Sequence, residues 1–172
     1  MQAEQRILSK FIYSQVEWVP VKIITGIYWL LVMARVVLFN NYYGQPFPEG
    51  ISRLYDFSIL IQKPYAYIVL GIAIVLVLLY IMERYMIPVL LSISIVSMAI
   101  LSVERSHGVS SRDELCSLVF IAQAIAYIRY ALANHEFRAA NKVYSIAIFY
   151  TIQVIAAAYT ISAISKLQAA GI

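Results

Sequence analysis

Charge is scarce in this chain. Lys, Arg, Asp and Glu make up 13% of its 172 residues, while 62% are hydrophobic and the mean hydropathy is +0.78. A soluble domain is about half apolar and about a quarter charged. So little charge cannot cover a water-exposed surface of this size, which points to an integral membrane protein. Cysteine is nearly absent: Cys116 stands alone. One thiol cannot close an intrachain disulfide, and CxxC redox chemistry is excluded. The two histidines, His107 and His135, fall in different loops without metal-ligand spacing, so no metal site is expected. No Lys/Arg-rich run exists, so the net charge of +4 points to basic anchoring of loops at a membrane and not to nucleic acid. A cleaved signal peptide is not expected, because Glu4, Arg6, Lys10 and Glu17 interrupt the first twenty residues and no small-residue cleavage site follows an apolar core. Internal repeats and low-complexity tracts are also missing.

What the sequence does have is long uncharged runs. The last is the clearest: residues 143–165 contain no charge, about 23 positions, and Lys166 follows. At about 1.5 Å per residue such a helix crosses a hydrocarbon core of about 30 Å. Four more runs precede it, giving expected spans at 21–39, 65–82, 87–103, 115–132 and 143–165. They lack the alternation of a membrane barrel and read as helices. The expected fold class is an all-α integral membrane bundle of five transmembrane helices, one domain over 1–172.

Residues 1–20 read as an interfacial amphipathic helix. Ile7, Leu8, Phe11, Ile12 and Val16 share a face, with Glu4, Arg6 and Lys10 elsewhere, and Pro20 is expected to break it before the first span. Glu83, Arg84, Tyr85 and Met86 form a tight connection, so the second and third spans should make an antiparallel hairpin. The longest loop, 40–63, holds Asn40, Asn41, Gly44, Pro46, Pro48 and Gly50 with Tyr42, Tyr43 and Phe47, and a loop of this length usually packs over something. Within it, 51–61 reads as a short helix on the membrane face. Tyr42, Tyr43, Tyr65 and Tyr67 suit an interfacial aromatic belt.

Lys and Arg counts give an orientation. Arg6, Lys10, Lys22, Arg84, Arg129, Arg138 and Lys142 fall on one side, and Arg53, Lys63, Arg105, Arg112 and Lys166 on the other. Seven against five favours a cytoplasmic N-terminus. The C-terminus, the long first loop and the third loop then lie on the outer side.

Polar groups that could carry chemistry gather on that outer side. Lys166 shares a helix face with Tyr159 and Ser162. It is either a snorkelling anchor or a lysine desolvated by neighbouring helices that acts as a base. Arg35 lies near the outer end of the first span, either as a snorkelling anchor or as a polar contact to a ligand or another helix. His107 sits in the third loop, where a histidine is solvated, caps a helix or takes part in a site. Asp113 and Glu114 suit the N-terminus of the fourth span. Gln123 and Gln153 lie near mid-membrane, where an amide must find a partner: another helix, or a quinone or substrate.

The segment Tyr159-Thr160-Ile161-Ser162-Ala163-Ile164-Ser165-Lys166-Leu167 resembles a signature of the vitamin K-dependent γ-glutamyl carboxylases and their bacterial relatives, the horizontally transferred transmembrane (HTTM) proteins. Tyr159, Lys166 and Leu167 match it, while Ser162 and Ala163 stand where Ala-Gly is typical. Arg84 between spans two and three, and the polar loop 106–114, are similar too. The likeness covers the N-terminal half of that family. It implies a hydroquinone or quinone as cofactor and Lys166 as the base that deprotonates it at the outer membrane face. The tryptophan that commonly follows the family's lysine is absent, since 168–172 reads QAAGI, and the family's later spans and soluble domain lie outside these residues. The four-helix DoxX/MauE-type proteins, partners in redox or maturation systems, share part of this look.

Two functions are therefore expected. The first is a non-enzymatic accessory or structural subunit of a larger membrane complex, with the lipid bilayer and other membrane subunits as partners. The small residues Ala156, Ala157, Ala158, Ser162 and Ala163 would suit close packing there. The second is an HTTM-like enzyme or enzyme fragment acting on a quinone-type lipid through Lys166; further spans past residue 172 would favour it, and a stop there the first. A transporter fits less well, because paired intramembrane carboxylates and broken-helix repeats are not seen. The expected location is a bacterial inner membrane or an equivalent energy-transducing or secretory membrane.

Overall fold

The computed structural model describes residues 13–38, 47–48, 53–108, 114–132 and 140–169. Among them the regular structure is helical: α1 (Gln15–Leu38), a 3-10 turn (Ser58–Ile61), α2 (Tyr65–Ile81), α3 (Met86–Ser106), α4 (Glu114–Leu132) and α5 (Ala140–Ala169). Four of these helices, α1, α3, α4 and the part of α5 from Lys142 to Ala169, are long and apolar enough to cross a membrane; α2, at 17 residues, is shorter.

The expected break at Pro20 does not occur. Pro20 lies inside α1, which begins five residues earlier. The start is set by Ser14 and Glu17: the Glu17 carboxylate accepts the Ser14 backbone N–H at 2.6 Å and its hydroxyl at 3.0 Å. This is the carboxylate half of an S-x-x-E capping box. Pro20 removes only the one bond that would reach the Val16 carbonyl, close to a capped end, and the helix absorbs it. Residues 15–20 of the expected interfacial helix thus belong to the first span, and 1–12 lie outside the described residues. So do Tyr42, Tyr43, Arg112, Asp113, His135 and Arg138. Where 51–61 was expected to be helical, residues 51–52 lie outside the described residues, Arg53 is 3-10 helical, and the turn Ser58–Ile61 follows.

The hairpin between α2 and α3 ends α2 in a Schellman arrangement. The Arg84 N–H donates to the Leu79 carbonyl at 3.0 Å and the Glu83 N–H to the Tyr80 carbonyl at 3.2 Å. The residue that turns left-handed is normally glycine. Here it is Glu83, at φ 58°, and Tyr85 follows at φ 52°.

The helices pack chiefly on their neighbours in sequence, and α1 also reaches α3, α4 and α5. At the centre, Phe120 of α4 meets Trp29 of α1 and Tyr80 of α2 edge-to-face, with centroids 5.9 and 5.5 Å away. Such pairs contribute about 0.5–1.5 kcal/mol beyond burial. Gly26 brings α1 close to α2: a Cβ there would stand 3.0 Å from Val77 Cγ1. Between helices in lipid, close packing of this kind takes over the part that water exclusion plays in soluble proteins.

The helix α5 behaves differently along its length. Residues 143–148 and Thr151 are buried, but from Ile152 to Ala169 none is. Only 17% of its apolar window is buried, against 39%, 56% and 44% for α1, α3 and α4.

Candidate functional site

The bundle carries polar groups in three layers. The first lies at the end where α1 begins and α2 stops. Lys22 projects from α1 and is 2% exposed. Its Nζ donates to Glu83 Oε1 at 2.5 Å and to the Ile81 carbonyl at 3.1 Å. The other carboxylate oxygen accepts the Tyr144 hydroxyl of α5 at 3.0 Å. Trp18 is stacked on Tyr144 at 6.3 Å and tilted against Tyr127 at 6.5 Å. The backbone N–H of Tyr13 donates to Ser145 Oγ at 2.9 Å and ties the entry to α1 onto α5. Two helices, α1 and α5, thus converge on a single carboxylate carried by the α2–α3 turn.

The second layer is at mid-span. The Tyr80 hydroxyl donates to Gln123 Oε1 at 2.7 Å, Gln123 Nε2 donates to Thr151 Oγ1 at 3.2 Å, and the Thr151 hydroxyl donates to the Ala147 carbonyl at 2.8 Å. This relay joins α2, α4 and α5. Beside it Trp29 Nε1 donates to Ser97 Oγ at 2.5 Å, and the Ser97 hydroxyl donates to the Ile93 carbonyl at 2.7 Å. Ser94, Ser102 and Ser106 of α3 likewise bond to their own helix backbone, which satisfies hydroxyls where water is excluded.

The third layer closes the opposite end. Arg35 Nη2 meets Glu104 Oε1 at 2.7 Å, linking α1 to α3, and Arg105 pairs with Glu114 across the α3–α4 junction. His107 Nδ1 lies 2.8 Å from the Val103 carbonyl at the end of α3. Phe47 donates its N–H to the Ser106 carbonyl at 2.6 Å, so the long first loop touches this end. Nearby, the Ser58 N–H bonds to Asp56 at 2.8 Å and holds that carboxyl below its ordinary value.

The residues singled out in the sequence fall into two groups. Gln123 is fully buried in the central relay, Arg35 is in an ion pair, and His107 sits at a helix end. Gln153, Tyr159, Ser162 and Lys166 are all exposed on the unpacked part of α5. Sequence reasoning missed Lys22, Glu83, Tyr144, Tyr80, Thr151 and Glu104. A lysine inside an apolar run and a glutamate at a tight turn were the available signals for the first pair.

Chemically, these layers hold helices together. Most of their donors and acceptors are spent on one another, and among the described residues no group of three His, Cys, Asp or Glu side chains could hold a metal ion. Cys116 is a buried free thiol. The fold and its polar layers define an all-helical, multi-pass integral membrane protein. No family model, curated protein or solved structure matches the chain.

Proposed function

We propose that the chain is a non-enzymatic subunit of a larger membrane assembly that offers α5 as a contact surface. The carrying observation is the contrast within the bundle: 17% of the α5 window is buried, against 39–56% in the other three long helices. The bundle is knit together by hydrogen bonds and ion pairs, whereas the polar side chains of 152–169 are all exposed.

In this reading α2 is a fifth span. Its 17 residues reach about 25 Å, a small mismatch that snorkelling ends and local thinning accommodate. Tyr65 and Tyr67 at its start, both exposed, suit the interface. The end bearing Lys22 and Arg84 faces the cytoplasm, in a bacterial inner membrane or its equivalent.

The enzymatic alternative has weaker support. A lysine that acts as a base towards a quinone-type lipid has to be desolvated by its neighbours, and Lys166 is exposed on an unpacked stretch.

Extraction from native membranes in mild detergent tests the proposal. The expected result is migration well above the 19.5 kDa of one chain, with a second protein co-purifying. Migration without any other protein overturns it.

A further inference from the structure

The two tryptophans of the chain are both buried, yet their indole N–H groups fare differently. Trp29 donates to Ser97 Oγ at 2.5 Å. Trp18 Nε1, in the first turn of α1, is buried without a hydrogen-bond partner. The hydroxyl of Tyr127 on α4 is also buried and also without a partner. Among the described residues one other side-chain atom shares that state, Ser117 Oγ near the start of α4. Two of these three groups are therefore neighbours, since the Trp18 and Tyr127 rings lie 6.5 Å apart.

Their surroundings are polar. Trp18 stacks on Tyr144, whose hydroxyl donates to Glu83, and Lys22 follows Trp18 by one turn and binds the same carboxylate. The Tyr127 hydroxyl stands near the indole and in the field of Glu83, but without the geometry of a hydrogen bond to either. An indole has one donor and no acceptor, and a phenol has one donor and an accepting oxygen. Even a direct bond from Trp18 to Tyr127 would leave the phenol proton bare. Buried donors left bare are costly, and in folded proteins they are nearly always paired.

The missing partner has to accept from the indole and also bond to the phenol. It has to be small as well. The rings of Trp18, Tyr144 and Tyr127 lie 6.3 and 6.5 Å apart, and both polar atoms are closed off, so a lipid headgroup or an organic ligand cannot enter without parting them. Water meets both demands. Glu83, on the α2–α3 turn, is 23% exposed, which gives water a way in from the end of the bundle.

We infer that this end of the bundle binds one water molecule, held by Trp18 Nε1 and the Tyr127 hydroxyl. A buried water makes about three hydrogen bonds, and the Glu83 carboxylate has accepting capacity for the third. The water thus ties α4 to the carboxylate that already holds α1 and α5. The inference does not depend on what α5 contacts.

Nuclear magnetic resonance of the full chain in detergent micelles tests it. With the indole nitrogens labelled, the two tryptophans give two N–H signals, and Trp29→Phe assigns them. A dipolar cross peak between water and the Trp18 indole proton is expected, with none at Trp29, whose N–H is spent on Ser97. Its sign in the rotating frame separates it from proton exchange. Tyr127→Phe removes one anchor of the water and should weaken the peak about 2- to 10-fold, the loss of one ordinary hydrogen bond. An unshifted Trp29 signal would show that this variant still folds; if it does not fold, the parent spectrum still decides. No water peak at Trp18, equal water peaks at both indoles, or a Trp18 peak to the Tyr127 hydroxyl in place of water each overturn the inference. So does a water peak that a folded Tyr127→Phe chain leaves unchanged.

Discussion

Glu83 binds Lys22 at 2.5 Å from a backbone position that favours glycine. Its φ of 58° costs about 1–2 kcal/mol for a residue with a Cβ. The strain persists because the side chain there meets α1 and α5 together, through Lys22 and Tyr144. Glu83→Ala should lose the pair and keep the strain. Breaking a buried pair costs about 3–5 kcal/mol, and the partial exposure of Glu83 sets the lower end as the expectation. Glu83→Gly also loses the pair but relieves the backbone, so it should be the more stable of the two by about 1 kcal/mol. Thermal unfolding in detergent, followed by circular dichroism, compares them; equal stability would show that the left-handed turn is not strained.

The partner substitution should be strongly coupled to this one. Lys22→Met removes the ammonium and leaves the Glu83 carboxylate with Tyr144 alone. Each single change strands a charge, whereas the double change Lys22→Met with Glu83→Gly strands none. The double variant should be more stable than the sum of the singles predicts, by about 1–3 kcal/mol. A double-mutant cycle on the same unfolding signal measures this, and additivity would mean that the ion pair does not hold α1 to the α2–α3 turn.

At Gly26 two effects compete. A Cβ would stand 3.0 Å from Val77 Cγ1, so α2 has to yield by a few tenths of an ångström. Against that, alanine is better than glycine inside a helix by about 1 kcal/mol. Gly26→Ala should therefore be close to neutral. Gly26→Val adds two methyl groups at the same contact and a stiffer side chain, and should destabilise by about 1–3 kcal/mol. If both variants unfold with the parent, α1 and α2 do not pack as closely as Gly26 and Val77 indicate.

The long helices were legible because crossing a bilayer requires an uncharged run, and composition records that directly. The α2–α3 hairpin was legible from the four residues available to turn the chain. The start of α1 was written in Ser14 and Glu17, but Pro20 was the stronger signal, and a proline near a capped end costs too little to stop a helix. The ion pairs were beyond reach for another reason. Lys22 and Glu83 are separated by 61 positions, and Arg35 and Glu104 by 69. Which helix ends meet is fixed by packing, and one sequence does not state it. The surroundings of Lys166 were hidden for the same cause: a side chain's burial depends on its neighbouring helices, and along 152–169 of α5 no residue is buried.

The Gln123 relay gives a prediction about how much a polar layer contributes at mid-span. Gln123 is fully buried and accepts from Tyr80 while donating to Thr151. Gln123→Leu removes both bonds at similar volume. Interhelical hydrogen bonds in membranes average about 0.6 kcal/mol, with a maximum of about 1.7, so the two bonds together set an expected loss of about 1–2 kcal/mol. Much of it should come from the Tyr80 hydroxyl, which is left buried without an acceptor, because Thr151 still has the Ala147 carbonyl. Adding Tyr80→Phe should then recover stability relative to Gln123→Leu alone. Tyr80→Phe in the parent chain should cost stability instead. The reversal of sign is the test, read from unfolding midpoints of the four proteins. If Tyr80→Phe is equally harmful in both backgrounds, the hydroxyl has a second acceptor and the relay does not end at Gln123.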